Sequence, residues 1–384
     1  MKKLIALLLV LALGLSLAAC SAPAANNSTE PSATPSASTQ PAVEANLKQD
    51  VLTFSAGDFA KESAVLTVNG QVIPTTLFLY WLAFNCSYFE SAYYYYGVTV
   101  ADYASSILSD TCSMAAYYAL LGQKALENGC PITDEQLATI NTEMGVGGED
   151  HELRMALYGL TDDDLMYIYS LDFFFSNLTD ALVPMPSDEE MNQYVYQTKH
   201  ILIATASSAA EGIVTLATGD TVEYAGTVEE YNAEAQAKAQ NLYDQLIAAK
   251  AEGNYLALFD ELMNEHSQDG RDSEGNLSSP AGYTATLGQM VTEYETAALA
   301  LAEGEISEPT KSPYGYHIIL RGAVEDVDTY VEEYRSSQME SYLNTWLNEA
   351  VIEKGDALAT LDTADFYERY VAWQTAYVEA NNLQ

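Results

Sequence analysis

The chain has 384 residues, with 55 Asp and Glu against 15 Lys and Arg, and a formal charge of −40. So one-sided a balance excludes a surface that holds nucleic acid or anionic lipid by charge. With 48% of residues hydrophobic, the length is ample for a sizeable core and points to two domains.

Residues 1–20 read as an export signal: Lys2 and Lys3, an apolar run from Leu4 to Leu17, then Ala18-Ala19-Cys20. Polar sequence follows at once, so no stop-transfer helix is expected. Small residues before a cysteine look like a bacterial lipobox, which makes Cys20 the lipid-attachment residue. The chain would then be held by that lipid at the extracytoplasmic face of the cell membrane. An ordinary signal-peptidase site beside a chance cysteine is the plainer alternative. Residues 21–50, rich in Ser, Ala, Pro, Thr and Asn, lack the apolar side chains to fold and are expected to be a disordered linker.

Residues 51–192 are expected to be the N-terminal part of a helical domain. Val68-Asn69-Gly70-Gln71 inside an alternating apolar run is a hairpin signal. From Thr75 to Leu182 the spacing turns helical, with Leu77, Tyr80, Trp81 and Phe84 on one face. Thr133 with Gln136, and Thr161 ahead of three aspartates, mark helix starts. The segment is also crowded with aromatics, Tyr93 to Tyr96 among them. Most must be core, but tyrosine also suits an exposed surface that holds apolar segments of other chains. Cys86, Cys112 and Cys130 match no metal or redox spacing. Their odd number leaves free thiols, or one disulfide and one thiol.

Residues 193–324 read as a second domain. A strand at Thr198–Ile203 precedes a hairpin near Thr215–Val222. Helices follow at Glu229–Ala251, with Ala237, Leu242, Leu246 and Ile247 on one face, and at Tyr255–Glu265. A polar loop runs to Tyr283, then a short helix at Glu293–Leu301 and a strand at Tyr316–Leu320. Residues 325–384 read as helical to the end, with Met339, Leu343 and Trp346 on a face that must pack elsewhere and is expected to pack on the N-terminal part.

Two of only four histidines stand in matching apolar runs, Lys199-His200-Ile201-Leu202-Ile203 and Gly315-Tyr316-His317-Ile318-Ile319-Leu320. A strand histidine is more often a satisfied core residue than a catalytic one. Here the pairing, with helices between, suggests one shared site.

In order, Lys199-His200-Ile201-Leu202, Glu265-His266-Ser267-Gln268-Asp269, Gly288-Gln289-Met290 through Tyr294 to Ala298, Gly304-Glu305-Ile306-Ser307-Glu308-Pro309 and Tyr314-Gly315-Tyr316-His317 resemble the parvulin-type peptidyl-prolyl isomerases. With the lipobox and the flanking helices, the whole chain is similar in plan to PrsA-type foldase lipoproteins and SurA-like chaperones. The resemblance implies an α+β fold: a small antiparallel sheet with helices, inserted in a mainly α-helical chaperone domain. It implies catalytic roles for His200, Asp269 and His317, with the two histidines on adjacent strands sharing a hydrogen bond. Asp269 would tune the histidines or, if protonated, donate a hydrogen bond. It implies that Met290, Tyr294 and Tyr283 bind substrate. Where the family has Gly-Gly-Asp-Leu-Gly, this chain has Pro280-Ala281-Gly282-Tyr283-Thr284.

The implied partners are unfolded or partly folded exported polypeptides with X-Pro bonds, and the membrane through the lipid; a homodimer stays open. Turning an X-Pro amide breaks no covalent bond, so no cofactor or metal is expected. The loop from Ala204 to Ala237 has no Lys or Arg, which leaves no clamp for a phosphorylated substrate. The competing expectations are a non-catalytic holding chaperone that uses this fold to bind extended chain and, more remotely, a solute-binding lipoprotein, for which the alternating strands of two α/β lobes are missing.

Overall fold

The Asn69-Gly70 turn organises the first sheet in the computed structural model, which describes residues 49–272 and 274–381. Both turn residues take positive φ, 51° and 79°, as a two-residue hairpin matching strand twist requires. They join β1 (Leu66–Val68) to β2 (Gln71–Val72). The export signal, Cys20 and nearly all of the linker lie outside the described residues.

The chain divides into two units. One combines the described residues through Pro184 with those from Ser337 onward, and the other is Met185–Ser336.

In the first unit the helices are α1 (Val51–Ala56), α2 (Thr75–Tyr93), α3 (Ala104–Glu127), α4 (Asp134–Met144), α5 (Glu149–Tyr158) and α6 (Asp162–Leu182). Reciprocal caps start two of them. Thr133 and Gln136 cap α4, and Thr161 and Asp164 cap α6, each satisfying backbone donors that the first turn leaves unpaired. Phe78 and Leu82 of α2, Ala115 and Leu121 of α3 and Leu178 of α6 share one core with Met339, Leu343, Phe366 and Trp373 from the C-terminal part. Cys86, Cys112 and Cys130 are free thiols.

The expectation of helix to the end of the chain is corrected. Between α11 (Val331–Glu349) and α12 (Thr363–Ala380) the strand β10 (Ile352–Lys354) pairs antiparallel with β1, Leu66 opposite Lys354. Three residues are too few to register as a period. The strand exists because β1 would otherwise present an unpaired edge.

In the second unit α7 (Asp188–Tyr194) leads into β3 (Val195–Ala204), a ten-residue strand. The meander β4 (Ala206–Ala210), β5 (Ile213–Leu216) and β6 (Thr221–Glu223) follows as a separate sheet, and then α8 (Val228–Glu252) and α9 (Tyr255–His266). After the loop come β7 (Tyr283–Thr286), α10 (Thr292–Leu299), β8 (Thr310–Lys311) and β9 (Gly315–Gly322). The main sheet runs β7-β3-β9-β8, antiparallel throughout. This is an α+β fold.

Both faces of β3 and β9 are covered. Ile201, Ile203, Ile318 and Leu320 pack against Ala235, Ala239, Leu242 and Leu246 of α8 and Phe259 of α9. Tyr196 and Ile319 pack against Tyr294 and Ala298 of α10. Each fully buried Ile or Leu contributes roughly 1.5–3 kcal/mol over an exposed one. The expected face of α8 is half right: Leu242 and Leu246 are buried, but Ala237 and Ile247 are exposed. The observed stripe of 235, 239, 242, 246 and 249 alternates steps of four and three, and its alanines let the helix lie close to the sheet.

At the start of β9, Gly315 has φ of 152°, and an added Cβ would collide with the carbonyl oxygen of Ile203. Gly315→Ala is therefore expected to destabilise the unit by about 2 kcal/mol or more, seen as an earlier denaturant transition of Met185–Ser336 in the full chain. An unchanged midpoint would show that the strand shifts without cost.

Candidate active site

Register puts the two histidines together. Along β3 and β9, His200 lies opposite Ile319 and His317 opposite Leu202. Directly paired residues share a face, and side chains two apart on one strand do too. His200 and His317 are therefore diagonal neighbours on the α10 side of the sheet. Both are buried, and their rings meet edge to face, centroids 5.2 Å apart at 72°.

Asp269 arrives by a different route. β7 pairs with β3 only as far as Thr198, so the edge beyond is open to the chain leaving α9. Ser267 Oγ accepts from the backbone N–H of Leu202 at 3.1 Å, and Gln268 N–H donates to the Leu202 carbonyl at 2.8 Å. Gln268 Oε1 accepts from Ala204 N–H at 2.9 Å. These contacts stitch the helix exit along β3 and set Asp269 over His200. The Arg271 guanidinium then ties the loop down by donating to the carbonyls of Ser267, Asn264 and Gly275.

Tyr283 closes the arrangement. Gly282 has φ of 83°, and a Cβ there would collide with the Thr198 carbonyl oxygen, so only glycine lets the loop pass this close to β3. The Tyr283 ring then lies nearly parallel to His200, 5.8 Å away at 16°. Its hydroxyl donates to Asp269 Oδ2 at 2.7 Å.

On the other side of His200, the Tyr294 hydroxyl donates to Thr198 Oγ1 at 2.9 Å and meets His200 Nδ1 at 3.0 Å. His317 Nε2 meets Ser312 Oγ at 2.7 Å. The expected hydrogen bond between the histidines is absent, because edge-to-face packing and these hydroxyls occupy the geometry it would need. His200 Nε2 is 3.2 Å from Asp269 Oδ2, within ion-pair reach, but out of line for a hydrogen bond. His317 Nδ1 is buried without a partner among the described residues.

The electrostatics divide the roles. Contact with His200, with the Tyr283 hydroxyl in support, holds the Asp269 carboxyl below its ordinary range. It is an anion at neutral pH and accepts rather than donates. Burial, reinforced by His200 and opposed by Asp269, pushes the His317 imidazole down to about 3, so this ring is neutral. Burial raises both Tyr283 and Tyr294, which keep their protons.

A small hollow lies beside His200 and Asp269, lined also by Met263, Ser267, Leu277, Ser279, Gly282 and Tyr283. The structure thus brings His200, Asp269, Tyr283, Tyr294 and His317 into one network. Met290 is half-buried against the apolar cluster of Tyr196, Ala285 and Tyr294, and neither it nor Tyr294 lines the hollow.

The family model described as rotamase, PPIC-type PPIASE domain, matches residues 200–322, from the first of these histidines to the end of β9. The chain carries a parvulin-type peptidyl-prolyl isomerase domain. Foldase protein PrsA of Bacillus subtilis (strain 168) is 38% identical over 90 residues, 22% of this chain and 29% of that protein. Foldase protein PrsA of Caldanaerobacter subterraneus subsp. tengcongensis is 27% identical over 242 residues, 62% of this chain and 64% of that protein. Chaperone SurA of Chromobacterium violaceum is 23% identical over 162 residues, 40% of this chain and 30% of that protein. The chain is PrsA/SurA-like, and each match takes in less than two thirds of the relative's own length.

Sequence reasoning missed Met263 and Leu277 in the wall of the parvulin-domain hollow, Thr198 as the partner of Tyr294 and Ser312 as the partner of His317. Met263 sits in the apolar stripe of α9 and reads only as core. The pattern before Tyr283 departs from the family's, and Leu277, earlier in the loop, lines the hollow.

The neutral His317 makes stability depend on pH. In the unfolded chain this imidazole takes a proton near about 6.5, and in the folded domain only near about 3. Between those values the unfolded state binds more protons, so stability is full above the window and is lost as pH falls through it. The Met185–Ser336 transition of the full chain should lose about 1 kcal/mol per pH unit from this ring between about pH 6 and 4. His317→Asn should flatten that slope whatever it does to the midpoint, and an unchanged slope would assign the pH dependence elsewhere.

Proposed function

We propose that this chain is a foldase that turns X-Pro bonds of unfolded or partly folded exported polypeptides between cis and trans. The observation that carries the reading is the hollow, where the ionised Asp269 and the buried His200 face the apolar side chains of Met263 and Leu277. Rotation about the peptide bond must overcome a barrier of roughly 18–20 kcal/mol set by amide resonance. Resonance places negative charge on the carbonyl oxygen and leaves less there when the bond is twisted. A fixed carboxylate beside that oxygen therefore disfavours the planar ends more than the twisted midpoint, which is the difference catalysis needs. Met263 and Leu277 exclude the water that would otherwise solvate the planar amide, while Tyr283 and His200 hold the carboxylate in place.

Exchange spectroscopy on a short unphosphorylated X-Pro peptide with the full chain tests this. The cis/trans rate should rise above buffer, and Tyr283→Ala should remove at least about tenfold of the gain, since it frees the carboxylate that the hydroxyl positions.

A specific observation also supports a holding role. In the first unit Tyr94, Tyr95 and Tyr96 are 71%, 93% and 78% exposed, a run of large amphipathic rings open to solvent. If the peptide rate stays at the buffer value while the chain still suppresses aggregation of an unfolded client, holding is the activity and isomerisation is not.

We further propose that Cys20 carries a lipid that keeps the foldase at the outer face of the cytoplasmic membrane, on the strength of the apolar run and Ala18-Ala19-Cys20. Cys20→Ala should move the protein from the membrane fraction to the medium or an unprocessed precursor. Unaltered membrane retention with normal processing would count against the anchor.

A further inference from the structure

The segment that follows the first histidine strand forms a sheet of its own, in the order β4-β5-β6, and one edge of that sheet is open. At β4 the side-chain amide of Asn232 takes the place of a neighbouring strand. It accepts from the Ala206 N–H at 2.6 Å and donates to the Ala206 carbonyl at 3.2 Å. At β6 the inward groups are accounted for. The Asp220 carbonyl accepts from Leu216 N–H at 2.7 Å, and Tyr224 N–H donates to the Gly212 carbonyl at 2.8 Å. Backbone groups of a strand alternate in direction, so Asp220, Val222 and Tyr224 turn to β5, while Thr221 and Glu223 present their N–H and C=O outward. No other element among the described residues takes up those groups, and all three residues of β6 are exposed. Such an edge is a template for a strand from another chain.

The side chains around the edge select that strand. Asp220 and Glu223 flank it, Glu211 precedes the Gly212 that bonds to Tyr224, and no Lys or Arg occurs from Ala204 to Ala237. Val222, opposite the buried Val214, is 36% exposed and shares the opposite face from Glu223. A strand laid beside β6 therefore meets a carboxylate on one face and an aliphatic side chain on the other. Basic residues alternating with apolar ones satisfy both, since opposite charges directly across a strand pair attract and like charges repel. We propose that the β6 edge is a docking site for an extended, basic segment of an unfolded polypeptide, which adds as a fourth, antiparallel strand. Backbone pairing with Thr221 and Glu223 supplies the binding, and the flanking acids supply the preference. The site goes beyond the isomerase reading, because it uses none of the histidine network and needs no proline in its partner.

The test uses two proline-free peptides, acetyl-Lys-Val-Lys-Val-Lys-amide and its counterpart with Glu for each Lys, added to the full chain at low salt. The Lys peptide should slow hydrogen exchange at the Thr221 and Glu223 amides and leave the Val222 amide, already turned to β5, as it was. It should bind at least about threefold tighter than the Glu peptide. Thr221→Pro removes one outward N–H and no inner one, at a place where an edge strand tolerates proline, and should weaken the Lys peptide at least about threefold. Glu223→Lys should cut the Lys-over-Glu preference at least about threefold. That variant barely alters a chain charge of −40, so a preference set by overall charge would survive it and overturn the proposal. No binding, equal binding of both peptides, binding without slowed exchange at Thr221 and Glu223, or unchanged affinity in Thr221→Pro would overturn it as well. Should Thr221→Pro fail to fold, Glu223→Lys decides alone. Turnover of X-Pro peptides is read separately, so a failure of isomerisation leaves this result standing.

Discussion

The register between β3 and β9 is the constraint on which the site depends. Side chains on a strand alternate, so a slip of one residue in one strand would carry its histidine to the opposite face. There it would enter the dry layer formed by Leu242, Leu246 and Phe259, with none of the hydroxyls that now surround it. Eight consecutive residue pairs hold the observed register. The close passage of Gly315 beneath the Ile203 carbonyl locks one end. Tyr294, Ser312 and Asp269 then have a fixed pair of rings to meet, and the network is a consequence of the ladder.

That network is only partly satisfied. Among the described residues His317 Nδ1 and His200 Nε2 lack hydrogen bonds although both atoms are buried; for His317 Nδ1, which has no other partner there, such an unpaired polar atom costs roughly 1–3 kcal/mol. The domain tolerates this by keeping His317 neutral and by placing its anion at the rim, where Tyr283 and His200 support Asp269. Under-satisfied polar groups at a hollow are what a protein keeps when packing alone does not decide the sequence. The same groups make the fold sensitive to acid, so the chemistry of the site and the stability of the domain are coupled through one imidazole.

Much of the architecture was legible because local physics and tertiary structure agree. The Asn69-Gly70 turn, the caps at Thr133 and Thr161 and the apolar runs around His200 and His317 all report elements that form where their residue types favour them. The resemblance added Asp269, Tyr283 and Tyr294, which lie 69 to 94 residues from His200 along the chain and which no periodicity could bring to it. What stayed hidden depends on paths through space. Met263 lies in the apolar stripe of α9, and its place in the hollow follows only from where Ser267 and Gln268 dock on β3. Tyr283 reaches His200 because Gly282 adopts a positive φ beside Thr198, a conformation that composition allows but does not announce. Ala237 and Ile247 misled because a helix with many alanines marks its buried stripe weakly.

The pairing of β1 with β10 bears on the order in which the chain can assemble. Leu66 and Lys354 are partners, so the three-stranded sheet of the first unit cannot close until nearly the whole polypeptide has been made. Met185–Ser336 is continuous and has no such wait. Its entering and leaving helices already touch, Tyr194 of α7 against Tyr334 of α11 with ring centroids 5.1 Å apart. Once that unit has formed, the long segment between β1 and β10 behaves as a much shorter tether, and the entropy of closing a loop depends on its effective length. The inserted unit thus serves as a clasp, drawing together two ends of a domain that emerge at different times.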